Sequence, residues 1–333
     1  MTTAPGTARR TRVVVLTDDA GTEPPNADRL RALADLVVTD AAGLAADLPG
    51  AQVLLMWDFF SAALREAWPA ADGLEWIHVA SAGVDTLLFD ELRASDVVLS
   101  NARGVFDQPI AEFVAASVLA HDKRLHESAR LQRAHEWRHR ETTRTAGSRA
   151  LVVGTGGIGR AIARLLRALG VEVTGGGRTP RTEDPDFGAV VATADLRDHL
   201  GDQDHVVLAA PLTDQTRGLI GAAELAAMKP TAHLVNIGRG PLVDEDALLD
   251  ALRSGRIAAA SLDVFETEPL PDDHPFWDLE QVHVSAHMSG DVVGWRDALA
   301  VQFEDNLRRW VAGEPPASVV DKERGYVPQE AAP

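Results

Sequence analysis

Cysteine is absent from all 333 residues, which removes disulfides, thiolate nucleophiles and cysteine-ligated metals, and fits the expectation of a cytoplasmic protein. No stretch is apolar for long enough to cross a bilayer, although 45% of residues are hydrophobic, so a globular chain with no membrane partner is expected. The opening MTTAPGTARRTR carries basic residues but lacks the apolar core of a secretory signal, and reads as a disordered leader. Positive charge is also short: 32 Lys and Arg stand against 50 Asp and Glu, for a net charge of −18. Such a chain repels a polyanion, which argues against nucleic acid as a partner. Any anionic small ligand must then find local positive potential, so single arginines become informative.

What is present is organised around Arg149 to Gly159, RALVVGTGGIG, an apolar run that breaks into close-set glycines before a helical segment. Gly154, Gly156 and Gly159 fit G-x-G-x-x-G: the first allows a tight turn, the second lets backbone approach a pyrophosphate, and the third lets helix pack on strand. The phosphate would sit at the helix N-terminus, where unpaired N–H groups and the macrodipole favour an anion. Ala161, Ile162, Leu165, Leu166 and Leu169 follow at helical spacing, Gly170 ends the helix, and Val171 to Thr174 supplies a second strand.

On either side, short β-prone runs alternate with helical segments. Upstream these are Val13 to Leu16, Leu36 to Thr39, Val53 to Met56, Trp76 to Ala80 and Val97 to Leu99; downstream they are Val190 to Ala192, Val206 to Ala210, His233 to Ile237, Ala258 to Val264 and Val282 to Ser285. The pattern predicts an α/β fold of two doubly wound parallel-sheet domains. A Rossmann dinucleotide-binding domain, residues 103–290, is inserted in a flavodoxin-like substrate domain of residues 1–102 and 291–333. Asp107 is expected to cap a long helix that starts near Pro109 and keeps its apolar period to Leu125, with polar residues following towards Trp137. A last helix runs from about Val292 to Val311, and Pro315, Pro316 and the closing PQEAAP read as a loose tail.

Chemistry is expected where turns follow strands. Arg239 in NIGRG offers a fork matched to a carboxylate, Glu268 lies in DVFETEPL, and His287 in SAHMSG precedes a small-residue turn. Singly these are a turn arginine, a loop acid and a histidine of the ordinary structural kind. Together, after successive strands of a dinucleotide-type sheet, they converge where a nicotinamide would lie.

GTGGIG, APLTDQTRGLI, NIGRGPLVDEDALLDAL, DVFETEPLPDDHPFW and the AHMSG histidine, in this order and spacing, resemble the D-isomer-specific 2-hydroxyacid dehydrogenases, with the glyoxylate/hydroxypyruvate reductase branch nearest in character. The resemblance covers nearly the whole chain. It implies an NAD(P)-dependent oxidoreductase in which Arg239 holds and polarises a 2-oxo acid, His287 donates the proton and Glu268 hydrogen-bonds the histidine. It implies that Ala82 and Gly83 of SAGVD bind the substrate carboxylate through backbone N–H groups. It further implies cofactor contacts from Gly154, Gly156, Gly157, Ile158 and Gly159, from Pro211 and Thr216, from Ile237 and Gly238, and from Asp263, His287 and Ser289, with Asp263 towards the nicotinamide carboxamide. Partners are then a small 2-oxo or 2-hydroxy acid and a second copy of the chain as a homodimer.

Two departures stand out. The family often has proline before the histidine and glycines after the next residue, whereas here Ala286 precedes and Met288, Ser289 and Gly290 follow. At the end of the second strand, where an acid usually receives the adenosine ribose, the chain reads TGGGRTPR without one. Glycines 175 to 177 clear space, and Arg178, Thr179 and Arg181 are expected to receive a 2′-phosphate. NADP(H) is therefore the preferred cofactor, with NAD(H) possible. A dinucleotide-sensing corepressor-like protein and a formate or phosphite dehydrogenase relative are the alternatives; Glu268 argues against the formate enzymes, which usually pair the histidine with glutamine.

Overall fold

The computed structural model describes residues 10–18 and 22–328. The chain divides into two compact units, Met1–Val105 with Val293–Pro333, and Phe106–Val292.

The first unit is a five-stranded sheet of β1 (Arg12–Leu16), β2 (Asp35–Thr39), β3 (Val53–Met56), β4 (Trp76–Val79) and β5 (Val98–Asn101), ordered β2-β1-β3-β4-β5. Every pairing is parallel. This is the flavodoxin-like order, in which neighbours diverge on either side of β1 and ligands are received at the strands' C-terminal ends. The strands read as continuous apolar runs because helices cover both faces. Val14, Leu54, Met56, Ile77 and Val79 pack into one face, and Trp76 on the other lies against Phe303 and Trp310 of the last helix, Trp295–Val311. Trp76 Nε1 donates to Ser100 Oγ at 2.8 Å, and His78 Nδ1 lies 2.8 Å from the same oxygen.

The expected leader and tail need correction. Residues 1–9 and 329–333 lie outside the described residues, but Arg12 opens β1 and the segment after Pro316 is packed. Val319 bridges Ser100, Val320 N–H donates to Leu99 O at 2.7 Å, and Lys322 Nζ donates to the carbonyls of Leu92 and Val97. Val320 is an apolar residue that finds a core position, and composition alone does not reveal that.

The second unit holds β6 (Arg149–Val153), β7 (Glu172–Gly177), β8 (Arg181–Asp184), β9 (Gly188–Ala192), β10 (His205–Leu208), β11 (His233–Asn236), β12 (Ala259–Leu262) and β13 (Val282–Val284). Their order is β13-β12-β11-β10-β6-β7-β9-β8, parallel throughout except that β8 pairs antiparallel with β9. Strand order reverses beside β6, whose C-terminal end carries the glycine turn. β8 is the strand the sequence pattern misses, since RTED has no apolar alternation.

The long helix is two. One runs Asp107–Asp122 and the other Leu125–Arg133, with Arg124 between them in the left-handed region at φ 50°. Asp107 is the first helical residue rather than the cap, and Leu125 is exposed. At the other edge Asp244 does cap its helix, Glu245–Arg253, accepting from Ala247 N–H at 3.0 Å. Histidines gather beneath the sheet: His121 stacks on His233 at 4.5 Å, and His126 on His283 at 3.5 Å. Burial pushes His283 down to about 4, and in the first unit it pushes His78 down to about 3.

These two rings are held neutral in the folded chain, whereas the unfolded chain takes up their protons near the ordinary histidine value. Their contribution is therefore lost progressively as pH falls from about 6.5 towards those depressed values. Urea unfolding at pH 7.5, 5.5 and 4.5 should show declining stability, and His78→Gln should be less stable at neutral pH but lose less on acidification. An unchanged slope in the variant would remove His78 as a cause.

Candidate active site

At the end of β6, Gly154 adopts φ 116°, and a Cβ there would sit 2.4 Å from the Ala209 carbonyl oxygen. A Cβ on Gly159 would lie 1.8 Å from Gly154 O, so both positions need glycine for packing. Gly156 differs: nothing lies within 4 Å of its would-be Cβ. It caps the helix Gly157–Ala168, whose Ala161, Ile162 and Leu166 are buried. The first-turn amides of that helix, which includes Ile158, have no intrahelical partners. A turn with two glycines fixed by packing and a third facing open space fits a dinucleotide pyrophosphate.

The region after β7 corrects the sequence expectation. Gly175 to Gly177 belong to the strand itself, and Cβ atoms there would press on Phe187, Leu196 and Thr155 respectively. They make room for packing within the unit. Arg178 and Thr179 lie exposed just beyond. Arg181 lies in β8, its Nη2 2.9 Å from Asp184 Oδ2. Asp184, with its side chain 2% exposed, also accepts from Arg160 Nη1 and from the N–H groups of Asp186 and Phe187. Burial pushes its carboxyl up, but these donors together hold it well below the usual carboxylate range. An acid does stand in this hairpin, engaged by two arginines; only the unrecognised β8 could have pointed to it.

The reactive side chains follow β11, β12 and β13. At the end of β11, Asn236 shapes the turn: its Oδ1 accepts Gly238 N–H at 3.1 Å and its Nδ2 donates to Arg239 O at 2.9 Å. Arg239 Nη1 donates to Gly238 O, and the buried Ile237 N–H donates to Leu208 O. Gly240 abuts the next loop so closely that a Cβ would lie 1.9 Å from the Phe265 carbonyl carbon. Beyond β12, Glu268 accepts Phe265 N–H through Oε1 at 2.9 Å, and its Oε2 lies 2.7 Å from His287 Nδ1. Both side chains remain about a third exposed. Burial raises the Glu268 carboxyl, but His287, the Phe265 N–H and the Arg239 charge outweigh it and hold it below the ordinary value.

His287 itself takes φ 49°, a conformation L side chains rarely adopt. Asp263 fixes it there. The Asp263 carbonyl accepts His287 N–H at 2.9 Å, and its two carboxylate oxygens accept Met288 N–H at 2.9 Å and Ser289 N–H at 3.1 Å. Asp263 is 1% exposed, so burial and those bonds place it beneath the histidine turn. Ser289 and Gly290 are buried while Met288 is exposed. Thr216 Oγ1 donates to Pro211 O at 2.7 Å, closing the turn after β10.

In the first unit, Ser81 Oγ donates to Gly83 O and Asn101 Nδ2 donates to Ala82 O, so the half-buried loop after β4 is shaped by a residue the sequence did not single out. Among the described residues no group of three or more His, Asp or Glu side chains could hold a metal ion, and no helix is long and apolar enough to cross a membrane.

Residues 115–289 match the model of the D-isomer specific 2-hydroxyacid dehydrogenase NAD binding domain. The chain is 34% identical over 272 residues to a glyoxylate reductase of Thermococcus onnurineus, covering 78% of this chain and 79% of that protein. It is similar to a D-isomer specific 2-hydroxyacid dehydrogenase of Xanthobacter autotrophicus solved with NADPH and MES, at TM-score 0.80 and 32% identity over 96% of this chain and all of that one. It is also similar to an NADPH-dependent glyoxylate/hydroxypyruvate reductase of Sinorhizobium meliloti solved with NADP and sulfate, at TM-score 0.81 and 29% identity, covering 95% of this chain and 100% of that one.

The glycine geometry separates fold from ligand. Gly159→Ala should cost about 1–3 kcal/mol of stability through overpacking. Gly156→Ala should melt like the wild type yet bind a dinucleotide at least about tenfold more weakly, because its methyl enters the space the pyrophosphate needs. Thermal melts with calorimetric titration of reduced dinucleotide check both, and equal dinucleotide affinity in Gly156→Ala would refute the assignment.

Proposed function

The chain belongs to the D-isomer-specific 2-hydroxyacid dehydrogenase family and is an NAD(P)-dependent oxidoreductase acting on the CH–OH group; on that premise we propose that it reduces a small 2-oxo acid to the D-2-hydroxy acid, with NADPH preferred. The observation that carries this reading is the 2.7 Å pairing of His287 Nδ1 with Glu268 Oε2 in a site where Arg239 also bears on Glu268. The substrate class is that of the glyoxylate and hydroxypyruvate reductases, in keeping with the small residues Ala82 and Gly83 as carboxylate binders.

Reduced dinucleotide, when bound, supplies a hydride to the carbonyl carbon. Gly154, Gly156, Gly157, Ile158 and Gly159 would hold its pyrophosphate, Asp263 would face its nicotinamide carboxamide, and Pro211, Thr216, Ile237, Gly238, His287 and Ser289 would supply further contacts to it. Arg239 grips the substrate carboxylate and carbonyl as a planar fork, stabilising the charge that develops on oxygen. Glu268, held as a carboxylate, engages Nδ1 and so orients the ring, and His287 delivers a proton from Nε2 to that oxygen. Arg178 and Thr179 receive the 2′-phosphate, with Arg181 adding charge from the position in which Asp184 holds it. The reading also has a homodimer working in the cytoplasm. Trp137, fully exposed in a segment without helix or strand, supports a partner there.

His287→Ala should lower turnover on the order of a hundredfold or more while dinucleotide affinity stays near wild type. Arg239→Lys should fail comparably, because a point charge does not replace the fork. Steady-state kinetics on glyoxylate and hydroxypyruvate decide this, and normal turnover in either variant removes that residue from the mechanism. Arg178→Ala should cost about 1.5–3 kcal/mol of NADPH affinity and leave NADH almost unaffected. Wild-type catalytic efficiency equal or better with NADH would overturn the phosphate assignment.

A further inference from the structure

Glu268 sits in a loop that runs from the end of β12 to the turn Pro275–Asp278, and that loop is gripped from outside by one carboxylate. Glu245, the first residue of the helix Glu245–Arg253, accepts Glu266 N–H through Oε1 at 2.7 Å. Its other oxygen, Oε2, lies 3.7 Å from His274 Nε2. His274 Nδ1 accepts Phe276 N–H, so the ring proton sits on Nε2, pointing at Glu245. The two contact points, residues 266 and 274, lie on either side of Glu268.

The grip reaches the reacting pair through few bonds. The N–H next to that of Glu266, from Phe265, is the one that pins Glu268 Oε1, and Oε2 of the same carboxylate orients His287. Gly240 blocks the Phe265 backbone from the other side. We propose that Glu245 is a positioning residue, clamping the acid loop through its hydrogen bond to Glu266, with His274 a looser second contact, and thereby setting the geometry of the Glu268–His287 pair. The inference rests on the reading of His287 as proton donor.

Burial raises the Glu245 carboxyl, the Glu266 N–H and His274 lower it, and the charges of Glu266 and Asp246 raise it, with a net upward shift. Neutral or charged, Oε1 remains an acceptor for the Glu266 N–H. What the clamp requires at Glu266 is therefore the acceptor's position, which glutamine supplies; its amide nitrogen faces the His274 Nε2–H without an acceptor, so the variant keeps the 2.7 Å Glu266 bond and gives up only the 3.7 Å His274 contact.

The test compares Glu245→Ala and Glu245→Gln in the full chain, following kinetics, urea unfolding and the titration of the Glu268 carboxyl by carbon NMR, its resonance assigned by loss in Glu268→Gln. Glu245→Ala should lower kcat roughly tenfold to a hundredfold, with KM within about twofold, and the Glu268 midpoint should rise towards the ordinary glutamate value. Glu245→Gln should return kcat to within about threefold of wild type. Should Glu245→Ala not fold, Glu245→Asp, one methylene short of Glu266, should raise the midpoint in the same way. An unmoved Glu268 midpoint, or a Gln variant as impaired as Ala, overturns the clamp even where His287→Ala is inactive. A moved midpoint alongside normal turnover in His287→Ala instead supports the clamp and overturns the proton-donor reading.

Discussion

The geometry of the site depends on the short contact between Glu268 Oε2 and His287 Nδ1. Two loops from adjacent strands must present an acid and an imidazole to each other within hydrogen-bond distance, and β12 and β13 are paired in register to do so. The two loops are also joined behind that contact. The Phe265 N–H and Gly240 set the acid loop, and Asp263, at the start of that loop, ties down the histidine turn by accepting from three amides. The left-handed His287 backbone is unfavourable alone, and the buried Asp263 carboxylate offsets it with charge-assisted hydrogen bonds.

Much of this was legible in the sequence. Fully buried parallel strands are apolar runs, and the strand ends carry turn residues, so the ten strands read from pattern on either side of the glycine turn all begin and end within two residues of those seen. Arg239, Glu268 and His287 were singled out because of their combination: singly ordinary, they follow successive strands of a dinucleotide-type sheet. The structure brings all three to one edge of the second unit's sheet.

What escaped has physical causes. β8 is short, polar and held by its ion pairs, so no periodicity marks it, and with it went the partnership of Arg181 and Asp184. Gly175 to Gly177 were read as space for a ligand because a glycine run looks the same whether it admits a phosphate or a neighbouring side chain; Phe187 and Leu196 decide for packing. Asp263 was assigned through resemblance to the nicotinamide, and its bonds to Met288 and Ser289 add a second task that only three-dimensional proximity reveals. The break at Arg124 lies within a run of continuous helical propensity, where one left-handed residue leaves no compositional trace.

The first unit draws its core from both ends of the chain. Phe303, Leu307 and Val320 are buried with strands that precede residue 105, whereas Phe106–Val292 is one unbroken stretch. A ribosome therefore releases β1 to β5 long before the helix that covers Trp76 exists, and the intervening unit can fold while its host sheet still lacks one face. The first unit cannot be completed until its second segment has been made, so a nascent chain stalled after residue 292 would carry a finished nucleotide-type sheet and an uncovered one.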